Sequence, residues 1–407
     1  MLFRLPFLSL LVGVLGALML VPTIMAATQG DWKSSRSFLY AAIFVLVASA
    51  AIRFVSPAAP ARTARRELAV LLFGWVFLPI FAAIPLTMVT PAIGLVGAWF
   101  EMTAALTTTG GTVYGSLAAV PDAVHLWRGM VGWAGGLMTL VAAYAILAPR
   151  RLGGFEIEAS TLRGPGREND QVVSLSATTP ALASRLSRAA RVIVPVYGLL
   201  TAGLAIIFNT LGQGGLESAV HAMSILSTSG ISPVKGGLAA ANSFSAEAVA
   251  ALFLLITATP VLWSKASQTG LNVPWQRDPQ LRMLLFLVGI TTLALFARHW
   301  LGALTVDDSE PLSDAFTALW GNIFTTLSFL STTGFESASW EASRNWSGLS
   351  NPGLFLLALA TVGGGAATTA GGVKLIRAFA LMRHGYREIE RLAQPASIIG
   401  VGSDMRG

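Results

Sequence analysis

Eight apolar runs, each close to the length of a bilayer crossing, divide this chain and leave short polar stretches between them. They lie at 5–27, 38–55, 67–89, 126–149, 190–209, 243–264, 282–300 and 352–382. A helix needs about 20 apolar residues to cross hydrocarbon, and only helices or closed barrels satisfy every backbone group there. The sequence therefore specifies an all-α polytopic membrane protein. Composition closes off the alternative. Of 407 residues, 54% are hydrophobic and 12% charged, against about 25% charged in soluble domains. So few charges cannot coat a water-soluble particle of this size. The absence of cysteine removes disulfides and thiolate metal sites.

Placing the N-terminus in the cytoplasm puts 21 of the 27 Lys and Arg on the inner side. Arg53, Arg62, Arg65 and Arg66 are among them, with the groups from Arg150 to Arg191 and from Lys374 to Arg406. The outer side keeps Lys33, Arg36, Arg128, Lys235, Arg298 and Arg344. That split follows the positive-inside rule. The net charge of +7 is thus a topology signal, with both termini cytoplasmic, and not the basic patch of a nucleic-acid binder. The outer side carries Asp307, Asp308, Glu310, Asp314, Glu336 and Glu341, and an acidic mouth raises the local cation concentration. His125, His221, His299 and His384 are not spaced as metal ligands. No nucleophile–base pair supports intramembrane catalysis.

Three shorter semi-apolar stretches, near 95–110, 216–230 and 315–334, each sit on the outer side between two full spans and are too short to cross. They align with one another. The first ends Leu106-Thr107-Thr108-Thr109-Gly110, the second Leu226-Ser227-Thr228-Ser229-Gly230, the third Leu330-Ser331-Thr332-Thr333-Gly334. The repeating unit is therefore helix, re-entrant half-helix plus extended loop, helix. Non-helical backbone at membrane depth is tolerated only where it is buried in protein or lines a water-filled path. A half-helix ending in the membrane presents the negative end of its dipole, which favours a cation. An extended loop can aim successive carbonyls at one axis and replace an ion's hydration shell. Glycine supplies the positive φ such a loop needs. Thr108, Thr109, Gly110, Thr228, Ser229, Gly230, Thr332, Thr333 and Gly334 are the candidate selectivity-filter residues, binding the ion through backbone carbonyls alone.

The last span carries an interruption at 361–374, with Gly363, Gly364, Gly365, Gly371 and Gly372 leading to Lys374. Each glycine costs about 1 kcal/mol in a helix relative to alanine, so the span is expected to break. A flexible break below a filter is where a gate is expected, and a lysine at membrane depth marks a functional site. Snorkelling of Lys374 to the cytoplasmic interface is the competing expectation.

These residues resemble the Trk/Ktr/HKT superfamily of potassium transporters, most closely the bacterial TrkH/TrkG type. The resemblance rests on Leu106–Gly110 with Trp127-Arg128 and Trp133–Gly136 after it, on Leu226–Gly230 preceded by His221-Ala222, on Leu330–Phe335, and on Gly363–Arg377. It covers nearly the whole chain and implies repeated helix–pore-loop–helix units around a pseudo-fourfold pore. It also implies potassium as the transported ion with no covalent cofactor, a glycine-supported preference for potassium, and the bacterial cytoplasmic (inner) membrane with its lipid as surroundings. Family members are homodimers that work with a cytosolic nucleotide-binding ring, TrkA in this branch, for which the inner basic segments 150–191 and 374–391 are candidate docking sites. The resulting layout has two N-terminal helices over 1–66, a first pore unit over 67–150, a cytoplasmic linker over 151–189, a second unit over 190–265, a third over 282–383 and a tail over 384–407.

One departure matters. The aligned glycines at 110, 230 and 334 are 120 and 104 residues apart, and 73 residues follow the last of them. A fourth glycine is expected near 434, so the fourth unit is expected to be absent and the chain to be truncated, a fragment, or completed by another polypeptide. Two other readings stay open at this point: a non-conducting or regulatory chain of the same fold, and a secondary cation transporter with broken helices.

Overall fold

The computed structural model describes residues 6–55, 64–148, 182–260, 278–302, 312–348 and 351–393. The described residues contain no strand. Asp307, Asp308, Glu310, most of the linker 151–189 and the tail beyond 393 lie outside them.

Helices α1 (Pro6–Leu18) and α2 (Leu20–Thr28) run as one apolar span and pack with α3 (Trp32–Val55). Asp31 begins α3 by accepting the Ser34 N–H at 3.1 Å, an N-terminal cap. Hydrogen bonds from the Ser34 side chain and backbone hold the Asp31 carboxyl below its usual range. This pair of spans precedes the first unit, in which α4 (Ala64–Val89) leads to the half-helix α5 (Gly94–Leu106) and then to α6 (Asp122–Ala142), which continues as a π turn over Ala143–Leu147. The second unit runs α7 (Leu182–Thr210), half-helix α8 (Gly215–Ser227) and α9 (Phe244–Thr257). The third runs α10 (Pro279–Gly302), half-helix α11 (Leu312–Leu330), a short α12 (Trp340–Ser347) and the broken pair α13 (Pro352–Val362) and α14 (Leu375–Ala393).

Among the described residues, six helices are long and apolar enough to cross a membrane. The two remaining expected crossings differ for physical reasons. The break in the last span falls where five glycines outweigh helix propensity. The span expected at 243–264 is helical only to Thr257, after which Ala258 begins to accept bonds from the glycine loop. Helix α12 is polar and carries no hydropathy signal. α6 packs along α8, and α9 along α11. Among the described residues there are two large buried cores, one joining the N-terminal pair to the first unit and one joining the end of α6 to the second and third units, with a small third cluster of Trp340, Leu356 and Leu359.

Candidate functional site

Each half-helix stops by the same local device. After α5, the N–H of Thr108 bonds to Ala105 at 2.9 Å and that of Thr109 to Ala104 at 2.9 Å. After α8, Thr228 bonds to Ile225 at 3.2 Å and Ser229 to Ser224 at 2.9 Å. After α11, Thr332 bonds to Phe329 at 3.0 Å and Thr333 to Ser328 at 2.9 Å. The side chains repeat as well. Hydroxyls two residues apart are bonded in all three copies: Thr107 with Thr109 at 2.9 Å, Ser227 with Ser229 at 3.0 Å, Ser331 with Thr333 at 3.0 Å.

The backbone alternates in hand. Thr108, Thr228 and Thr332 have φ of 56°, 53° and 59°, and Gly110, Gly230 and Gly334 have φ of 71°, 66° and 82°. A β-branched residue at positive φ is a rare, strained state, costing about 1–3 kcal/mol, and here it occurs three times at equivalent positions. Alternation of φ sign turns successive carbonyls to one side of the chain. The N–H groups point back into the half-helices. Among the described residues, none of the nine carbonyl oxygens of 108–110, 228–230 and 332–334 accepts a hydrogen bond. Carbonyls left without partners at membrane depth need a ligand or water.

The loops meet. A Cβ on Gly110 would run into the carbonyl oxygen of Ser229, and one on Gly230 into that of Thr333. On Gly334 it would meet nothing within 4 Å among the described residues. The middle loop is accordingly buried at Thr228 and Ser229, while Thr109 and Gly334 on the two flanks are exposed. Gly135 and Gly136 let α6 approach these ends, since side chains there would strike the Leu106 carbonyl and Ser227.

A polar residue nine positions before each glycine ties down the outgoing limb of the loop. Glu101 accepts the Thr112 hydroxyl at 2.5 Å and the Val113 N–H at 2.6 Å. His221 pairs with the Ser232 hydroxyl at 2.9 Å and with Gln213 at 2.9 Å. Thr325 accepts the Ser337 N–H at 3.2 Å. Glu101 is also ion-paired with Arg128 at 2.9 Å, both buried, and the Arg128 guanidinium lies 5.6 Å from the centre of the Tyr114 ring. Arg128 is therefore a core residue and not a free outer-loop charge. The sequence reading did not identify Glu101, Thr325 or this role of His221. Superposing the three copies residue by residue finds them.

The glycine segment folds back beneath the loops, with 363–370 buried. Gly363, Ala367, Gly372 and Lys374 have positive φ. Gly371 donates its N–H to the Thr332 hydroxyl at 2.7 Å, and the Thr369 hydroxyl donates to the Leu226 carbonyl at 3.3 Å. On its other side Gly365 bonds to the Ala258 carbonyl at 2.7 Å, and Ala366 to the Gln280 side chain at 2.7 Å. Gly364 lies against Ala370, and the Lys374 ammonium donates to the Ala370 carbonyl. Lys374 thus turns back onto the segment. The fifteen candidate residues fall into two groups, the three loops and a glycine segment bonded to the third loop and to the end of the second half-helix.

These features describe a polytopic helical membrane protein with repeated re-entrant loops converging on one axis. A family model described as TrkH, cation transport protein, matches residues 34–403, and the chain belongs to that family. It is 29% identical to the Trk system potassium uptake protein TrkH of Halomonas elongata, over 95% of this chain and 76% of that protein. It is 28% identical to TrkH of Escherichia coli K12, over 97% of this chain and 77% of that protein. The crystal structure of the potassium transporter TrkH from Vibrio parahaemolyticus matches with a TM-score of 0.74 at 23% identity, covering 99% of this chain and 79% of that one. That likeness establishes the fold.

Proposed function

We propose that this chain is the pore-forming subunit of a Trk-type potassium uptake system in the bacterial cytoplasmic membrane. The observation that carries the reading is the set of nine carbonyls without hydrogen-bond partners among the described residues, presented by three loops of matching backbone geometry. Potassium sheds its water most readily where such oxygens replace it. The relatives' names supply the ion. In this reading 108–110, 228–230 and 332–334 form the filter, and the Gly363–Gly365, Gly371–Gly372 and Lys374 segment forms the gate. Its bonds to Thr332 and Leu226 hold it across the inner end of the loops. In the same reading Gly334, which faces nothing within 4 Å among the described residues, is the position where a further loop closes the filter. A homodimer with a TrkA-like nucleotide-binding ring on the cytosolic face completes the system.

The test is growth at limiting potassium of a bacterial strain stripped of its own uptake systems. Two forms are compared, the chain as given and the chain extended by a fourth helix–loop–helix unit. Growth and rubidium uptake by the extended form, little affected by sodium, are the expected result. Absence of uptake by both forms, with both inserted in the membrane, would sink the proposal.

A further inference from the structure

Glu247 lies on α9, the returning helix of the second unit, yet its carboxylate is spent on the third. Its Oε2 accepts the Ser337 hydroxyl at 2.6 Å and the Trp320 indole N–H at 2.8 Å, and its Oε1 accepts the Ala338 N–H at 2.6 Å. Glu247 and Ser337 are 2% and 3% exposed. The pattern of one hydroxyl and the next residue's N–H on one carboxylate is the pattern Glu101 makes with Thr112 and Val113 in the first unit. In the third unit the position equivalent to Glu101 is Thr325, which supplies a single bond. The carboxylate comes instead from the neighbouring unit, about 90 residues away in sequence.

The two latches differ in charge. Glu101 is paired with Arg128. Among the described residues Glu247 has no ion-pair partner, and all three of its hydrogen bonds come from neutral donors. Hydrogen bonds to a charged acceptor are about twice as strong as neutral ones, and a buried carboxylate bound this way is costly to disturb. Ser337 lies three residues beyond Gly334, so whatever fixes Ser337 and Ala338 limits where the Gly334 carbonyl points. Trp320 on α11 fixes the same carboxylate from the half-helix side.

We propose that Glu247 is a positioning residue that locks the outgoing limb of the third loop from across the unit boundary and thereby sharpens ion discrimination. The role in discrimination rests on the filter reading given above; the latch itself does not.

The test uses the full chain, in whichever of the two forms supports uptake, with Glu247→Gln and Ser337→Ala compared with Ser245→Ala, at an exposed position at the start of the same helix α9. Glu247→Gln is isosteric but must set an amide N–H2 against at least one N–H or O–H donor. Amide hydrogen exchange is read in peptides spanning 335–340, where Ala338 bonds to Glu247 and Ser339 bonds to the Ser337 hydroxyl. The rubidium-to-sodium uptake ratio is read on the same preparations. Expected are exchange at least ten-fold faster in that stretch alone, a ratio lowered at least five-fold by Glu247→Gln, a smaller change for Ser337→Ala, and no change for Ser245→Ala. Unchanged exchange overturns the latch. Faster exchange with an unchanged ratio overturns the positioning role. If the unmutated protein itself shows no rubidium preference, the filter reading fails, and exchange still decides whether Glu247 is a latch.

Discussion

Replacing the three loop glycines one at a time separates backbone strain from contact between loops. Alanine at any of them must adopt a left-handed conformation, at about 1–2 kcal/mol. At Gly334 that is the whole cost, because nothing lies within 4 Å of the new methyl group among the described residues. At Gly110 and Gly230 the methyl meets a backbone carbonyl of the next loop, Ser229 or Thr333. Neither can turn aside as a flexible side chain could, so the carbonyl must retreat by roughly 1 Å, a displacement that costs about 100-fold in a preorganised site. With about 1.4 kcal/mol per factor of ten, Gly334→Ala is expected to lower rubidium uptake by roughly 5- to 30-fold. Gly110→Ala and Gly230→Ala are expected to lower it by roughly 500-fold or more. Gly110→Ser, with a larger group against the Ser229 carbonyl, is expected also to relax discrimination towards sodium. The assay is initial-rate rubidium and sodium uptake by the transport-competent form, normalised to protein inserted in the membrane. If Gly334→Ala is as damaging as the other two, or Gly230→Ala is tolerated, the loops do not meet as described.

Thr332→Val removes the acceptor of the exposed Gly371 N–H; an ordinary hydrogen bond nets about 0.5–1.5 kcal/mol, so under the gate reading the segment loosens and basal flux rises roughly 2- to 12-fold, while Thr332→Ser leaves flux near normal. Lys374→Met removes the ammonium that holds the Ala370 carbonyl and is expected to raise flux in the same direction in a proteoliposome efflux assay. Arg128→Met leaves Glu101 buried without its cation, at about 3–5 kcal/mol. The yield of monodisperse protein in detergent should fall sharply, and the double variant with Glu101→Gln should recover much of it.

The sequence made the repeat legible because its marks are local. Leu-Thr/Ser-Thr-x-Gly recurs at 106–110, 226–230 and 330–334, and each copy has the same short-range consequence for the half-helix end. The break at Gly363–Gly372 was legible for the same reason, since dense glycine acts on its own helix. The fate of Lys374 was not, because a lysine's reach is settled by the carbonyls near it, and the Ala370 carbonyl is exposed to it only once the segment has folded back. Glu101, His221 and Thr325 share a position and a task but not a chemistry, so no residue pattern joins them. Glu247 is further still from view: its bonds to Ser337 and Ala338 exist only after two units have packed. The shortening of α9 has the same origin, in a tertiary bond from Gly365 to Ala258 that overrides an apolar run.

Thallium, a potassium mimic with strong anomalous scattering, locates the ion in crystals of the transport-competent form. Anomalous density is expected on the axis at the level of the carbonyls of 108–110, 228–230 and 332–334, lost on soaking with potassium and retained with sodium at the same concentration. Density elsewhere along the protein with none at these carbonyls, or displacement by sodium as readily as by potassium, would contradict the assignment of the three loops as a potassium path.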